Sequence, residues 1–392
     1  MFAKSFLLTL SLLPLASGLA RADVDSALAA TRSAVLTPKG MALDRNLPLY
    51  PVKEGIGRVF TQPVSENGAR ALRVHFRLDG PPPAQPSWGV QILDKKGVPV
   101  WSFWGQELLG TNFWSVEIAG DAAKVEVYSV EPANPVRLVI DRLAVQKEVP
   151  KDHTITGKND MRPIYDPLEP WIKQAGSAVA RLNFMGDDGL WYYCTGFLLT
   201  PDLLLTNQHC LATPEEARSA AVEFDYDSAQ AAVKTARVRQ LEAFDYALDY
   251  SLVRLVKAEN RKVLAVDETP HAAENLVIIQ HPGGQPKQVS IKECGTDGVA
   301  VEGRHLPDQH SPGQNPPGDP AKMTDFAHTC DTMPGSSGSP VLDRELKQVV
   351  GLHHFGFDDG KPFNRAVRIG LILKNIRDQR PGLLSSPAPA AP

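Results

Sequence analysis

Cysteine is scarce and one-sided here: the 392 residues hold four, Cys194, Cys210, Cys294 and Cys330, and the first 193 residues hold none. That excludes a disulfide-dense miniature scaffold, and in an exported chain an even count reads as two bridges with three possible pairings. Close Cys-x-x-Cys and His-x-x-x-His spacings are missing too, so zinc finds no ready ligand set, and no metal or other cofactor is expected. Neither charge dominates. The 41 Lys and Arg stand against 45 Asp and Glu, which argues against nucleic acid or an anionic membrane surface as partner. Beyond the N-terminus no uninterrupted apolar run reaches the roughly 20 residues of a membrane-spanning helix, so the mature protein is expected to be soluble.

The N-terminus has the form of a secretory signal peptide over residues 1–22. Lys4 gives a positive start, Phe6 to Leu15 an apolar core, and Ala20-Arg21-Ala22 a small-residue cleavage site. Its removal moves the formal charge from −4 to −6, and places the protein in a periplasm or outside the cell. Residues 23–54 are weakly patterned and read as a propeptide or lead-in. From 55 to 147 short alternating runs follow one another, at Leu72–Leu78, Trp88–Leu93, Val98–Trp104, Phe113–Ile118, Lys124–Val130 and Val136–Val145, parted by Gly, Pro and Asp. Short strands at near-regular spacing with no helical period predict a small antiparallel β-sandwich. Its Trp88, Trp101, Trp104 and Trp114 are expected to fill the core rather than to bind carbohydrate, because large rings in strands are more often buried than displayed.

Residues 148–170 are charged and proline-bearing, an interdomain linker. A second domain spans 171–380, with strands at 178–184, 236–241, 250–255, 276–280, 288–292, 348–354 and 366–370 and a short helix at 371–377. Thr213-Pro214-Glu215-Glu216 predicts a helix start, with the threonine as cap and proline at the first helical position. Residues 303–321 read as a long surface loop and 381–392 as a disordered tail.

The chemistry gathers in three blocks. Pro334-Gly335-Ser336-Ser337-Gly338-Ser339-Pro340 sets glycines on either side of a serine pair, so the backbone can turn tightly, expose the Ser337 hydroxyl and leave amides free. A serine is a weak nucleophile without a base. Cys194 to Cys210 is a pair of apolar runs about a Pro-Asp turn, ending in Thr206-Asn-Gln-His209-Cys210 and offering His209. Leu248-Asp249-Tyr250-Ser251-Leu252-Val253 opens a further strand and offers Asp249, with Asp245 as its rival.

In the chain order His209, Asp249, Ser337 these blocks resemble the chymotrypsin-like serine endopeptidases, and the Gly-x-Ser-Gly-Ser-Pro run resembles their bacterial branch of glutamyl and lysyl endopeptidases. The resemblance covers roughly Pro170 to Arg380. It implies an all-β fold, a C-terminal double β-barrel with a short C-terminal helix behind the N-terminal sandwich, and a polypeptide substrate. It implies His209 as general base, Asp249 as its orienting acid, Ser337 as nucleophile, and the amides of Gly335 and Ser337 as an oxyanion hole. It further implies the pairing Cys194–Cys210, which leaves Cys294–Cys330. Two other classes share the pattern: a non-catalytic binding protein on this fold, and an esterase using the same triad.

Ser336 departs from the animal trypsins, which carry an aspartate immediately before the nucleophile. The ion pair made by a new N-terminus is then excluded, and the oxyanion loop has to be held in another way. The pocket gives conflicting signs. Asp331 aligns with the aspartate that selects Lys or Arg in trypsin-like pockets, whereas Thr332 and His353 align with residues that bind acidic side chains in glutamyl endopeptidases. A pair between Asp331 and His353 would leave the pocket nearly neutral. The balance leans to basic side chains, with Gly356 leaving the mouth open and the 354–356 segment offering an edge for a peptide.

Overall fold

The structure is a computed structural model, and it describes residues 36–50, 56–81, 87–130, 136–147, 158–257, 259–269, 273, 275–298, 300–301, 303, 323–356 and 364–385. The signal peptide, residues 304–321 of the expected surface loop and the last seven residues of the expected tail lie outside the described residues.

Nine strands form the first unit: Gly40–Leu49 (β1), Gly57–Ser65 (β2), Ala71–Leu78 (β3), Trp88–Asp94 (β4), Pro99–Trp104 (β5), Asn112–Trp114 (β6), Ile118–Ala119 (β7), Ala122–Ser129 (β8) and Leu138–Gln146 (β9). Strands β2-β8-β4-β5 make one sheet and β1-β9-β3-β6 part of another. Their inward side chains, among them Val74, Phe76, Ile92, Phe103, Val125 and Ile140, bury one core between them. Alternation along each strand turns one face inward, so the two sheets close over it as a sandwich. Trp88 fills this core and Phe103 stacks on Phe113 with centroids 3.9 Å apart. Trp104 is 45 % exposed, against expectation.

After a two-residue strand at Arg162–Pro163 (β10) and a helix at Pro170–Gly176 (α1), six strands follow: Val179–Met185 (β11), Leu190–Leu198 (β12), Leu203–Thr206 (β13), Ala221–Phe224 (β14), Lys234–Asp245 (β15) and Tyr250–Leu255 (β16). They pair in the order β11-β14-β15-β16-β13-β12, and β12 returns to β11, which closes a six-stranded barrel. Between β13 and β14 lies a helix at Pro214–Ser219 (α2), whose cap Thr213 accepts the Glu216 N–H as the sequence predicts. The remaining strands are Leu276–Gln280 (β17), Gln288–Ser290 (β18), Asp325–His328 (β19), Pro340–Asp343 (β20), Gln348–Phe355 (β21) and Asn364–Arg368 (β22), followed by the helix Ile369–Gln379 (α3).

This last set forms a seven-stranded sheet, β10-β18-β17-β20-β21-β22-β19, whose end strands do not pair with each other among the described residues. Among the described residues, hydrogen bonding closes one barrel, and closure of the second is not seen. Strand β10 has two residues, one of them Pro163 without an N–H, and the far side of β19 is occupied by bridges from Thr296 and Val301. Helix α3 buries Ile369, Ile372, Leu373 and Ile376, at helical spacing, in a core continuous with that of the barrel.

Two boundaries also differ from expectation. Residues 40–49, assigned to the lead-in, form β1, which pairs with β9 of the sandwich and, at Gly40 and Met41, with Trp191 and Leu190 of the barrel. The sandwich sheet and the barrel are thus one continuous ladder. The tail is built through Ser385, with Leu383 packed into the barrel core.

A buried polar network lines this junction. Arg73 on β3 donates to the carbonyls of Ser115, Asn183 and Ser219, and Arg181 on β11 reaches Glu223 at 2.6 Å, Gly284 O at 2.7 Å and Glu117 at 3.3 Å. Lys39 pairs with Glu117 at 2.8 Å. Burial lowers the Lys39 ammonium to about 8 despite that partner.

Candidate active site

His209 sits in the turn after β13, fixed one residue away by the Cys194–Cys210 disulfide. The second bridge joins Cys294 to Cys330. Cys194, His209 and Cys210 cluster tightly enough to suit a metal ion, but both thiols are spent in the bridge.

Asp249 accepts from His209 twice, from the ring Nδ1 at 2.7 Å on Oδ2 and from the main-chain N–H at 3.0 Å on Oδ1. Its backbone lies at φ +41°, a left-handed conformation that costs a residue with a side chain about 1 kcal/mol or more. Asn207 holds it there by donating to Asp249 O at 2.9 Å. Burial would raise the Asp249 carboxyl, but the charge and hydrogen bond of His209, with a further bond from His354, hold it well below the usual carboxylate range. The rival Asp245 is used elsewhere, accepting the Leu248 N–H and the Asn375 amide.

The Ser337 loop is anchored to β12 through Thr195. The Thr195 N–H donates to Ser337 O at 2.8 Å, and its hydroxyl donates to Gly335 O at 2.9 Å while accepting the His281 N–H. Because Cys194 is bridged to the neighbour of His209, and Thr195 is bonded to Ser337, one dipeptide of β12 ties both the His209 turn and the Ser337 loop to the same strand. No hydrogen bond joins the Ser337 hydroxyl to His209 among the described residues, and such bonds often tighten only when substrate arrives.

Gly338 lies at φ +87°, and a Cβ on it would fall on Thr195 O and the Thr206 hydroxyl, so only glycine lets this loop approach β12. Within the loop the amides of Ser336 and Gly338 are committed, to Met333 O and His353 O. Those of Gly335 and Ser337 donate to nothing among the described residues. The Ser336 side chain, where an activating ion pair is excluded, accepts the Met333 N–H. Gly283 N–H to Pro334 O at 2.6 Å adds a second tie. The loop is therefore held by neutral hydrogen bonds.

Of the pocket residues, Asp331 accepts the Asp160 N–H at 3.0 Å, a partner the sequence did not point to because it lies in the linker. Burial and the nearby Asp331 raise the Asp160 carboxyl. His353 faces His328 at 3.2 Å. Burial lowers both rings, His328 to about 3 and His353 well below its ordinary value, so both are neutral. Thr332 is buried beside Asp331, and Gly356 follows the end of β21.

Sequence reasoning passed over His354 and Asp325. His354 Nδ1 lies 3.2 Å from Asp249 Oδ2, and its Nε2 lies 2.8 Å from Asp325 Oδ2, all three side chains being buried. The signal was the His353-His354 doublet, since neighbours on a strand face opposite ways and each imidazole needs its own partner.

Comparison with known proteins gives several similarities. Two curated relatives match at 28 % identity: an uncharacterized protein of Sinorhizobium fredii, over 262 residues and 61 % of this chain, and a secreted RxLR effector protein of Plasmopara viticola, over 201 residues and 47 %. The chain spans only 36 % and 46 % of the length of those two proteins. Crystal structures of the Rv3671c protease are also similar. Its active form, from M. tuberculosis, is 16 % identical, with 57 % of this chain and 92 % of that one covered and a TM-score of 0.43. The inactive form is 18 % identical, with 53 % and 92 % covered and a TM-score of 0.40. The family model described as the trypsin-like peptidase domain matches residues 194–352, the segment that holds the disulfide-pinned His209, Asp249 and the Ser337 loop. Residues 194–352 are thus similar to a trypsin-like peptidase domain.

Proposed function

We propose that this chain is an exported serine endopeptidase of the bacterial chymotrypsin-like branch. The carrying observation is the shared anchor on β12: the bridge from Cys194 pins His209 against Asp249, and Thr195 fixes the Ser337 loop with two uncommitted amides. Ser337 Oγ attacks the scissile carbonyl carbon while His209 takes its proton. The Gly335 and Ser337 amides receive the oxyanion, and the His209 cation is stabilised by Asp249. His209 then protonates the leaving amine, and water enters by the same route to release the acyl group. In this reading the seven-stranded sheet takes the place of the second barrel.

Basic side chains before the scissile bond fit the pocket best. Asp331 lies against Asp160, whose carboxyl is raised first by burial and then by the charge of Asp331, and a lysine or arginine would relieve that second effect. His353, the residue that would greet an acidic side chain, is neutral beside His328. Export is supported by the charged, apolar and small-residue segments of residues 1–22 and by two disulfides.

The test is labelling by a fluorophosphonate, with Ser337→Ala as control, followed by peptides carrying Arg, Lys, Glu or an apolar residue before the cleaved bond. Labelling at Ser337 with cleavage after Arg or Lys is expected. An unlabelled protein would sink the hydrolase assignment, and labelling with turnover of simple esters only would point to an esterase.

A further inference from the structure

The acid that orients His209 is itself held by a second imidazole. Asp249 Oδ2 accepts from His209 Nδ1 at 2.7 Å and faces His354 Nδ1 at 3.2 Å, while the other nitrogen of His354 faces Asp325 Oδ2 at 2.8 Å. An ionised carboxylate only accepts hydrogen bonds, so an imidazole set between two of them carries a proton on each nitrogen. We propose that His354, as an imidazolium with Asp325 as its counter-ion, is a positioning residue that fixes the Asp249 carboxylate for the reaction at Ser337; this rests on the peptidase reading above.

The surroundings agree. His354 lies on β21, with Asp249 on the turn before β16, Asp325 and the neutral His328 on β19, His209 on the turn after β13, and the neutral His353 beside it on its own strand. Arg368 on β22 donates instead to Met323 O. Burial alone would strip the proton from His354, but Asp325 and Asp249 push its pKa up to about 9. The Asp325 carboxylate is in turn oriented by the Thr324 hydroxyl at 2.9 Å.

Two consequences follow for catalysis. Asp249 cannot rotate, because Oδ1 is tied to the His209 main chain and Oδ2 to two rings. The negative charge that must stabilise a protonated His209 is spread over Asp249 and Asp325, with the His354 cation between them, so raising the pH until His354 loses its proton disrupts the support of His209. The residue therefore writes an alkaline limb into the rate.

The experiment has two arms. Nitrogen-15 spectra of histidine-labelled protein at neutral pH are expected to show one ring protonated at both nitrogens, titrating near pH 9 and absent from His354→Ser. A neutral His354 signal at neutral pH overturns the proposal, whatever the enzyme does. In the second arm, kcat/KM is followed against pH for the wild type and Asp325→Asn, with folded sites counted by fluorophosphonate. The wild type is expected to lose activity with a midpoint near pH 9. Asp325→Asn is expected to move that midpoint down by about one pH unit or more, because one unit corresponds to the loss of about 1.4 kcal/mol of ion pairing. His354→Ser is expected to lower kcat/KM near neutral pH by about tenfold or more, the equivalent of one charge-assisted hydrogen bond. A labelled wild type whose alkaline limb is untouched by Asp325→Asn overturns the role of His354 alone. A wild type inert to the probe removes the peptidase reading, and this inference with it.

Discussion

Thr195 holds Ser337 by its backbone and Gly335 by its side chain, donating its N–H to the carbonyl of the first at 2.8 Å and its hydroxyl to the carbonyl of the second at 2.9 Å. Both carbonyls are thereby turned toward β12. Among the described residues the amides of the same two residues are left uncommitted, as a stabiliser of developing negative charge must be.

Removing the Thr195 hydroxyl while keeping the shape, Thr195→Val, releases the Gly335 peptide and strands its buried carbonyl. The expected cost is about 1–3 kcal/mol in stability and a fall of roughly tenfold or more in kcat at unchanged KM. Steady-state kinetics and thermal melting check this together, and an unaltered kcat would show that the loop does not depend on the tie.

Ser337→Ala is expected to abolish fluorophosphonate labelling and lower peptide hydrolysis on the order of a millionfold, while the melting temperature changes little. Retained turnover would move the nucleophile to Ser336 or Ser339.

Gly338→Ala forces a Cβ onto Thr195 O at a left-handed backbone. We expect a loss of roughly 2 kcal/mol or more, with labelling slowed in the fraction that still folds. Denaturant unfolding against the wild type reads the first, and the rate of probe reaction the second.

Replacing Cys194 and Cys210 together by alanine should cost about 3 kcal/mol, from the freedom regained by the unfolded chain. Activity should fall as well, because the bridge is next to His209. A double variant unchanged in both stability and rate would leave the bridge without a role.

Two buried groups make stability depend on pH in opposite directions. The His354 pKa is raised from 6.5 to about 9, so its contribution is whole below 6.5 and lost as pH rises through about 9. The Lys39 pKa is lowered from 10.5 to about 8, so the unfolded chain binds the extra proton between those values and stability recovers across them. The difference in unfolding free energy between wild type and His354→Ser is therefore expected to shrink from pH 6.5 to 9, and that between wild type and Lys39→Met to change in the opposite sense from pH 8 to 10.5. Urea titrations at four or so pH values would decide it.

The barrel strands other than β14, the α2 cap and the His209–Asp249 contact could be read from the chain because each is carried by local signals: alternation, Thr213 before Pro214, and distinctive words around His209 and Asp249. Strand β1 could not. Its run is broken at Asp44-Arg45-Asn46, where the ladder with β9 shifts register, and its partners lie about a hundred residues or more downstream. The Asp160 contact with Asp331 was hidden for the same reason, a backbone amide in a linker having no sequence signature. Asp325 and His354 are single residues whose meaning arises only when β19 and β21 bring them to one carboxylate. Closure of the expected second barrel is not seen among the described residues, where one end of the sheet is a two-residue strand containing proline.

Strand β1 is bonded on one flank to the sandwich and on the other to β12, and Arg73, reaching Asn183, and Arg181, reaching Glu117, bolt the same seam with buried charge. A maturation cut between β9 and β10 would therefore nick the molecule without dividing it. Two bands on a denaturing gel would still travel as one particle, and the N-terminal piece would remain a permanent subunit of the enzyme rather than a discarded inhibitor.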